Sequence, residues 1–222
     1  MHAVYSAEQL SFGQEFDMQS VHCLFFGIWP DVGATHRLTQ LVARLRNEKI
    51  VPGRPVNANR LHITLHHLGD FINQIPPSLV PTASLAATTV KMQPFNVAFD
   101  RVGGTKGKFL LRASDRSAAL MEFRQTLSLA LVKAGLRSRA DVVFNPHVTL
   151  SYGFSDVPEK PVLPISWTVS QFVLVESLIG KHQHVNGEVG RCAVEHLNRS
   201  LQGGNPASSH HRQAEAHGRH RS

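Results

Sequence analysis

Two short stretches, His62-Ile63-Thr64-Leu65 and His147-Val148-Thr149-Leu150, carry the same pattern, His-x-Thr-x, 85 positions apart. Each lies in a run of alternating apolar and polar residues. In a β-strand, residues i and i+2 project from one face. His62 and Thr64 therefore share a face, with Leu61, Ile63 and Leu65 on the other; His147 and Thr149 repeat the arrangement against Val148 and Leu150. Two such strands can line the two sides of one cleft. With an ordinary pKa of about 6.5, one imidazole can be neutral while the other is protonated, as general acid–base catalysis requires. The threonine hydroxyls, about 7 Å along each strand from their histidines, are suited to donate to a charged non-bridging oxygen. Phosphoryl chemistry without a metal needs in-line positioning and such donors. A lone His-x-Thr is usually a packed or solvent-facing pair, and 14 histidines make chance matches plentiful. Two copies in the same apolar register are harder to obtain by accident.

The elements that must position these strands can be read in order. Val21–Trp29 is an apolar, aromatic run closed by Pro30, a core strand. Asp31 caps a helix running to about Glu48, with Leu38, Leu41, Val42 and Leu45 on one face. Val51–Arg60, with Pro52, Gly53 and Pro55, reads as an irregular loop delivering the chain to the first motif strand, Leu61–Leu68, which ends at Gly69-Asp70. A helix between Ser78 and Lys91 is restricted by Pro81 to starting near that residue. Phe95–Val102 and Lys108–Ala113 form a hairpin around a glycine-rich turn. A helix follows from Ser117 to Ala134, with Gly135 as its stop. Val142–Phe144 and the second motif strand, ending at Tyr152, come next. Pro158, Pro161 and Pro164 mark a loop before a long strand, Ile165–Leu178, and Gly187–Leu197 closes the chain. This order is α+β: bilobal, two similar antiparallel-sheet lobes with flanking helices around a central cleft.

Composition sets the outer bounds. With 222 residues, 42% apolar and 18% charged, the chain is an ordinary globular protein with room for one substantial core or two small, intimately packed lobes. No apolar run approaches a membrane span and no charged-apolar-small leader opens the chain, so the expectation is a soluble, cytoplasmic protein. Residues 1–20, read as a flexible lead-in, carry three acids and no lysine or arginine; residues 199–222, read as a disordered basic tail, carry four arginines against one glutamate. The net charge of +7 thus rests on the central segment, 21–198, and favours an anionic partner. Cys23 and Cys192 read as a reduced, buried pair. His182-x-His184 lacks the acidic or cysteine spacing of a metal site, so no metal is expected. His66 would share the face of His62 and Thr64 near the strand end, and reads first as structural. His210-His211 belong to the basic tail.

The motifs RLHITLHHLGDF and NPHVTLSYGF resemble those of the 2H phosphoesterase superfamily, and within it the bacterial RNA 2′,3′-cyclic phosphodiesterases, once named 2′-5′ RNA ligases. The resemblance takes in LFFGIWP, PVNANRLHITL and GEVGRCAV, and so spans about Val21 to Leu197. It implies a bilobal α+β fold, no metal or other cofactor, and hydrolysis of a 2′,3′-cyclic phosphate on an RNA end or nucleotide to a 2′-phosphomonoester. Carried over by motif position, His62 and His147 are the catalytic pair, with His147 as base and His62 as acid toward the 3′ oxygen, and Thr64 and Thr149 bind phosphate. Several members place arginine three residues after the second threonine, where this chain has Tyr152. Tyrosine can donate a hydrogen bond or stack on a base but brings no charge. Arg54, Arg60, Lys108, Lys181 and His184 are candidates for that charge, though each reads first as a solvated surface residue. Two alternatives remain open: action on 2′-5′ linkages by the same histidines, as phosphodiesterase or ligase, and an RNA-end binding module without turnover. Nothing in the chain demands more than a monomer.

Overall fold

A computed structural model describes residues 20–115, 117–136, 144–153, 156–179 and 186–193, the last as backbone only. The expected lead-in, the expected tail, residues 142 and 143, Lys181, His182, His184 and the Cys192 side chain lie outside the described residues, as do the boundaries drawn at 20 and 198. The strands are β1 (Val21–Ile28), β2 (Arg54–Pro55), β3 (Ile63–Ile72), β4 (Phe95–Thr105), β5 (Lys108–Arg112), β6 (His147–Tyr152), β7 (Lys160–Val169), β8 (Gln171–Ile179) and β9 (Asn186–Ala193). The helices are α1 (Val32–Asn47), α2 (Leu79–Thr88) and α3 (Ala118–Lys133). No helix among the described residues is long and apolar enough to cross a membrane.

The strands form one curled antiparallel sheet in the order β7-β4-β5-β6-β3-β1-β8-β9, with β2 paired to β6. The expected two lobes are visible as two runs of four strands, β6-β5-β4-β7 and β3-β1-β8-β9. They meet at a single recorded pair, Ile63 opposite Val148. The unit β1–α1–β3 has its counterpart in β5–α3–β6, so each motif strand follows a strand and a helix and ends beside the other at the centre.

One face of the sheet packs on the three helices. Leu24, Phe26 and Ile28 of β1, Ile63 and Leu65 of β3, and Val148 and Leu150 of β6 join Leu38 of α1 and Phe123, Leu127 and Leu131 of α3 in one buried cluster. The capping logic holds locally. Asp31 accepts from the Ala34 amide at 2.7 Å and Ser117 from the Leu120 amide at 3.3 Å, each satisfying a free helix N–H.

Several sequence expectations need correction. The segment 51–60 is not wholly irregular: Arg54–Pro55 pairs with β6, and Ala58–Arg60 makes one 3-10 turn. The stretch Ile165–Leu178 is two strands, broken at Ser170, and Pro161 and Pro164 lie inside β7. That strand ends the sheet, where a residue without an N–H is tolerated. β3 does not stop at Gly69-Asp70 but runs to Ile72. It does so through two bulges, where Leu65 and Leu68 are extra residues opposite β1. The first bulge moves His66 off the face of His62 and Thr64 and onto the core side opposite Phe26, where it is 3% exposed. Neither ring nitrogen finds a hydrogen-bond partner there, and burial, chiefly, pushes its pKa down to about 4.

The loop before β3 is held by its contacts with β6. The Val56 amide donates to the Leu150 carbonyl at 2.9 Å, and the Ser151 hydroxyl donates to the Pro52 carbonyl at 2.8 Å. Gly53 makes this approach possible: its φ is +64°, and a Cβ there would stand 1.9 Å from the Tyr152 carbonyl oxygen. Gly53→Ala is accordingly expected to destabilise the fold by more than about 1 kcal/mol, read as a lower urea midpoint at unchanged slope. A midpoint equal to wild type would show that the loop yields freely.

Candidate active site

The four motif residues flank the junction of the two lobes. Extending the Ile63–Val148 register one residue either way sets His62 against Thr149 and His147 against Thr64. The histidines are then diagonal neighbours, about 7–8 Å apart at the backbone by strand geometry and somewhat closer at Cβ. All four side chains are half-buried, whereas Ile63 and Val148 between them are fully buried on the other face. The alternation read from the sequence is therefore realised on both strands.

Each imidazole is oriented by the same local device. His62 Nδ1 lies 2.7 Å from the Arg60 carbonyl oxygen, and His147 Nδ1 lies 2.9 Å from the Asn145 carbonyl oxygen. A carbonyl only accepts, so Nδ1 must carry the hydrogen in both rings. Nε2 is then the free nitrogen of each: a base when the ring is neutral, a donor when it is protonated. The i to i−2 contact recurs at both sites, where His62 stands between a 3-10 turn and the first residue of β3 and His147 follows Pro146 and opens β6.

The two rings differ in their surroundings. His62 stacks on Phe25 and Trp29, with centroids 5.0 Å and 5.1 Å apart and planes 25° and 21° apart. Trp29 is fixed in turn by its indole N–H, which donates to the Asn59 carbonyl at 3.1 Å. Gly27 lies between the two aromatic residues, and a Cβ there would stand 2.9 Å from Trp29 Cζ3 and 3.2 Å from Phe25 Cε2. His147 instead sits among cations. Arg112 lies directly across from it on β5, and Lys108 lies on the same face two pleats further along, beyond Leu110.

Burial is the main cause that lowers the pKa of both histidines. For His62 the carbonyl bond to Arg60 acts the other way, while the charges of Arg60 and His147 add to the lowering. For His147 the bond to Asn145 opposes it, and the charges of Lys108 and Arg112 add to it. Both free imidazoles are thus mostly neutral at pH 7.

Among the sequence candidates, Arg60 and Lys108 do bring charge to the histidines, and Arg54 lies close enough to Arg60 for their charges to repel. Tyr152 is 52% exposed and pairs with Arg54 on one side and Lys108 on the other. Lys181 and His184 lie outside the described residues. Sequence reasoning missed Arg112 and the stacking of Phe25 and Trp29 on His62. A signal existed for the first, since Lys108, Leu110 and Arg112 alternate onto one face of a readable hairpin arm. For the aromatic pair no spacing rule reaches from β1 to the histidine.

In the free protein, both imidazoles are expected to titrate below the usual midpoint of about 6.5, measured by NMR of the ring signals. Lys108→Met should raise the His147 midpoint and leave His62 nearly unmoved. A midpoint at or above 6.5 for either ring would contradict the desolvation described here.

Comparison with known proteins bears on the family and the fold. The family model of the 2′-5′ RNA ligase superfamily matches residues 30–179. No curated protein matches the chain. Among solved structures, LigT of E. coli in complex with 3′-AMP is 22% identical, with a TM-score of 0.65 over 80% of this chain and 99% of that one. Another crystal structure, of a phosphoesterase, is 22% identical with a TM-score of 0.65, covering 79% and 99%. TT0787 of Thermus thermophilus is 20% identical with a TM-score of 0.63, covering 78% and 97%.

Proposed function

This chain belongs to the 2′-5′ RNA ligase superfamily, and we propose that it is a metal-independent phosphodiesterase that opens a 2′,3′-cyclic phosphate on an RNA end or nucleotide to a 2′-phosphomonoester. The observation that carries the reading is the pairing of two imidazoles, each with Nδ1 held by a carbonyl and Nε2 free, across one antiparallel junction.

In the proposed reaction, Nε2 of neutral His147 takes a proton from water as its oxygen attacks phosphorus. Protonated His62 gives its Nε2 proton to the 3′ oxygen as the P–O3′ bond breaks. The product keeps phosphate on the 2′ oxygen, and proton exchange with solvent returns both rings to their starting states. Two features support this polarity. Lys108 and Arg112 favour the neutral form of His147; Arg60 acts the same way on His62, but there the stacked aromatic faces favour a cation. The anionic phosphate raises the His62 pKa on binding, so that the acid is loaded when substrate is present. Thr64 and Thr149 donate to the non-bridging oxygens, with Lys108, Arg112 and Arg60 supplying positive field where charge accumulates. Tyr152, exposed between Arg54 and Lys108, is assigned to stacking on the substrate base.

The complexes of the E. coli relative with 3′-AMP, ATP and NADP+ support a nucleotide-sized occupant for the cleft. The superfamily's description favours a second reading, in which the same histidines act on a 2′-5′ linkage.

The test is hydrolysis of a nucleoside 2′,3′-cyclic phosphate and of a short RNA carrying that end, with chelator present and the product phosphate located. Turnover to the 2′ product is expected, with kcat falling by about 10²–10⁴-fold in His62→Ala and in His147→Ala. No turnover of these substrates, with cleavage of 2′-5′ oligonucleotides, would move the assignment to the second reading. Activity abolished outright by chelator would overturn the metal-free mechanism, and substrate binding without turnover in wild type would leave a binding module.

A further inference from the structure

The bulge that removes His66 from the cleft face and the second bulge at Leu68 together gather three other groups on that face, toward the far end of β3. Cys23 is opposite Asp70 and Phe25 is opposite His67 in the β1–β3 ladder. Since Cys23 and Phe25 share a face, so do His67 and Asp70, although they are three apart and an unbroken strand would set them on opposite faces. The extra residue Leu68 makes the difference. Sγ of Cys23, a ring nitrogen of His67 and a carboxylate oxygen of Asp70 all lie within 4.8 Å of one another. His67 Nε2 is 3.0 Å from Asp70 Oδ1, with the two side chains 42% and 53% exposed. The cluster is thus open to solvent on one side and closed by the strands on the other.

We propose that Cys23, His67 and Asp70 form a zinc site with the fourth position left to water. The donor set is chemically specific. A thiolate and an imidazole together select a borderline-soft ion, and the carboxylate completes a neutral Zn²⁺–Cys⁻–Asp⁻–His unit. Tetrahedral bonds of about 2.0–2.3 Å place donors roughly 3.3–3.8 Å apart, so closing the cluster on an ion takes shifts on the order of 1 Å. In the metal-free protein, burial and the hydrogen bond to Asp70 keep Cys23 a thiol; binding releases that one proton to solvent, and zinc takes its place between sulfur and carboxylate.

The site stands apart from the phosphoester chemistry. Asp70 and Cys23 lie about four rows, on the order of 13 Å, along the ladder from Thr64 and Gly27. Its effect on the cleft is mechanical: Cys23 packs against the small apolar group of Phe25, Val173 and Val175, and Phe25 stacks on His62. An ion there clamps the bulged end of β3 to β1 and steadies the floor on which His62 rests. It supplies nothing to the reacting atoms.

The test is titration of the full chain with Co²⁺ under reducing conditions, followed by its displacement with Zn²⁺. A near-ultraviolet thiolate-to-cobalt charge-transfer band is expected, saturating at one equivalent, erased by Zn²⁺, and accompanied by a rise in Tm on adding Zn²⁺. Cys23→Ser should lose the band and the Tm rise; His67→Gln and Asp70→Asn should weaken binding roughly tenfold or more, while Cys192→Ser keeps both. Circular dichroism checks the fold of each variant, and the exposed His67 and Asp70 variants carry the test if Cys23→Ser does not fold. The proposal is overturned if wild type shows no band, or if the band follows Cys192 rather than Cys23.

Discussion

The structure depends on one antiparallel contact, the pairing of Ile63 with Val148. Each lobe is a four-stranded sheet with its own hairpin or strand–helix–strand connections, and only at this point do the two become one sheet. Because side chains alternate, the fully buried apolar pair forces the residues on either side of it to the opposite face. His62, Thr64, His147 and Thr149 face the cleft because Ile63 and Val148 cannot. A slip of one residue at this junction would reverse all of them, so the packing of two aliphatic side chains on the helices sets the register of the polar groups.

The symmetry of that junction stops at the side chains. Both histidines hold Nδ1 on a carbonyl two residues back and both feel nearby cations, yet only His62 of the two stacks on aromatic rings, those of Phe25 and Trp29. On the proposed reading, two chemically equal groups are separated in this way into an acid and a base, the usual route by which environment assigns roles to paired titratable groups. β3 shows a related economy. With a bulge at Leu65 and another at Leu68, its cleft face carries Thr64, His67 and Asp70 at intervals of three, leaving His66 in the core.

Much of this was legible in the chain. The doubled His-x-Thr, the capped helices starting after Asp31 and Ser117, and the hairpin all rest on local rules and are present, although the hairpin's turn is only Lys106-Gly107, because Gly103, Gly104 and Thr105 belong to β4 and pair with β5. The misplaced features share a cause. Unbroken alternation puts His66 on the cleft face, but a bulge is created by the pairing partner, and β1 lies far from it in sequence. The prolines of β7 read as a loop because their tolerance depends on that strand being the sheet's edge. The aromatic bed of His62 and the Cys23–His67–Asp70 cluster likewise exist only once β1 and β3 are paired. What local sequence cannot express is register.

The most direct measurement of the central claim is a crystal structure of the protein with a nucleoside 2′-monophosphate. Phosphate is expected at the lobe junction, with Nε2 of both His62 and His147 and the hydroxyls of Thr64 and Thr149 within hydrogen-bond distance of its oxygens. Phosphate reached by only one of the imidazoles, or bound away from the Ile63–Val148 junction, would contradict that claim.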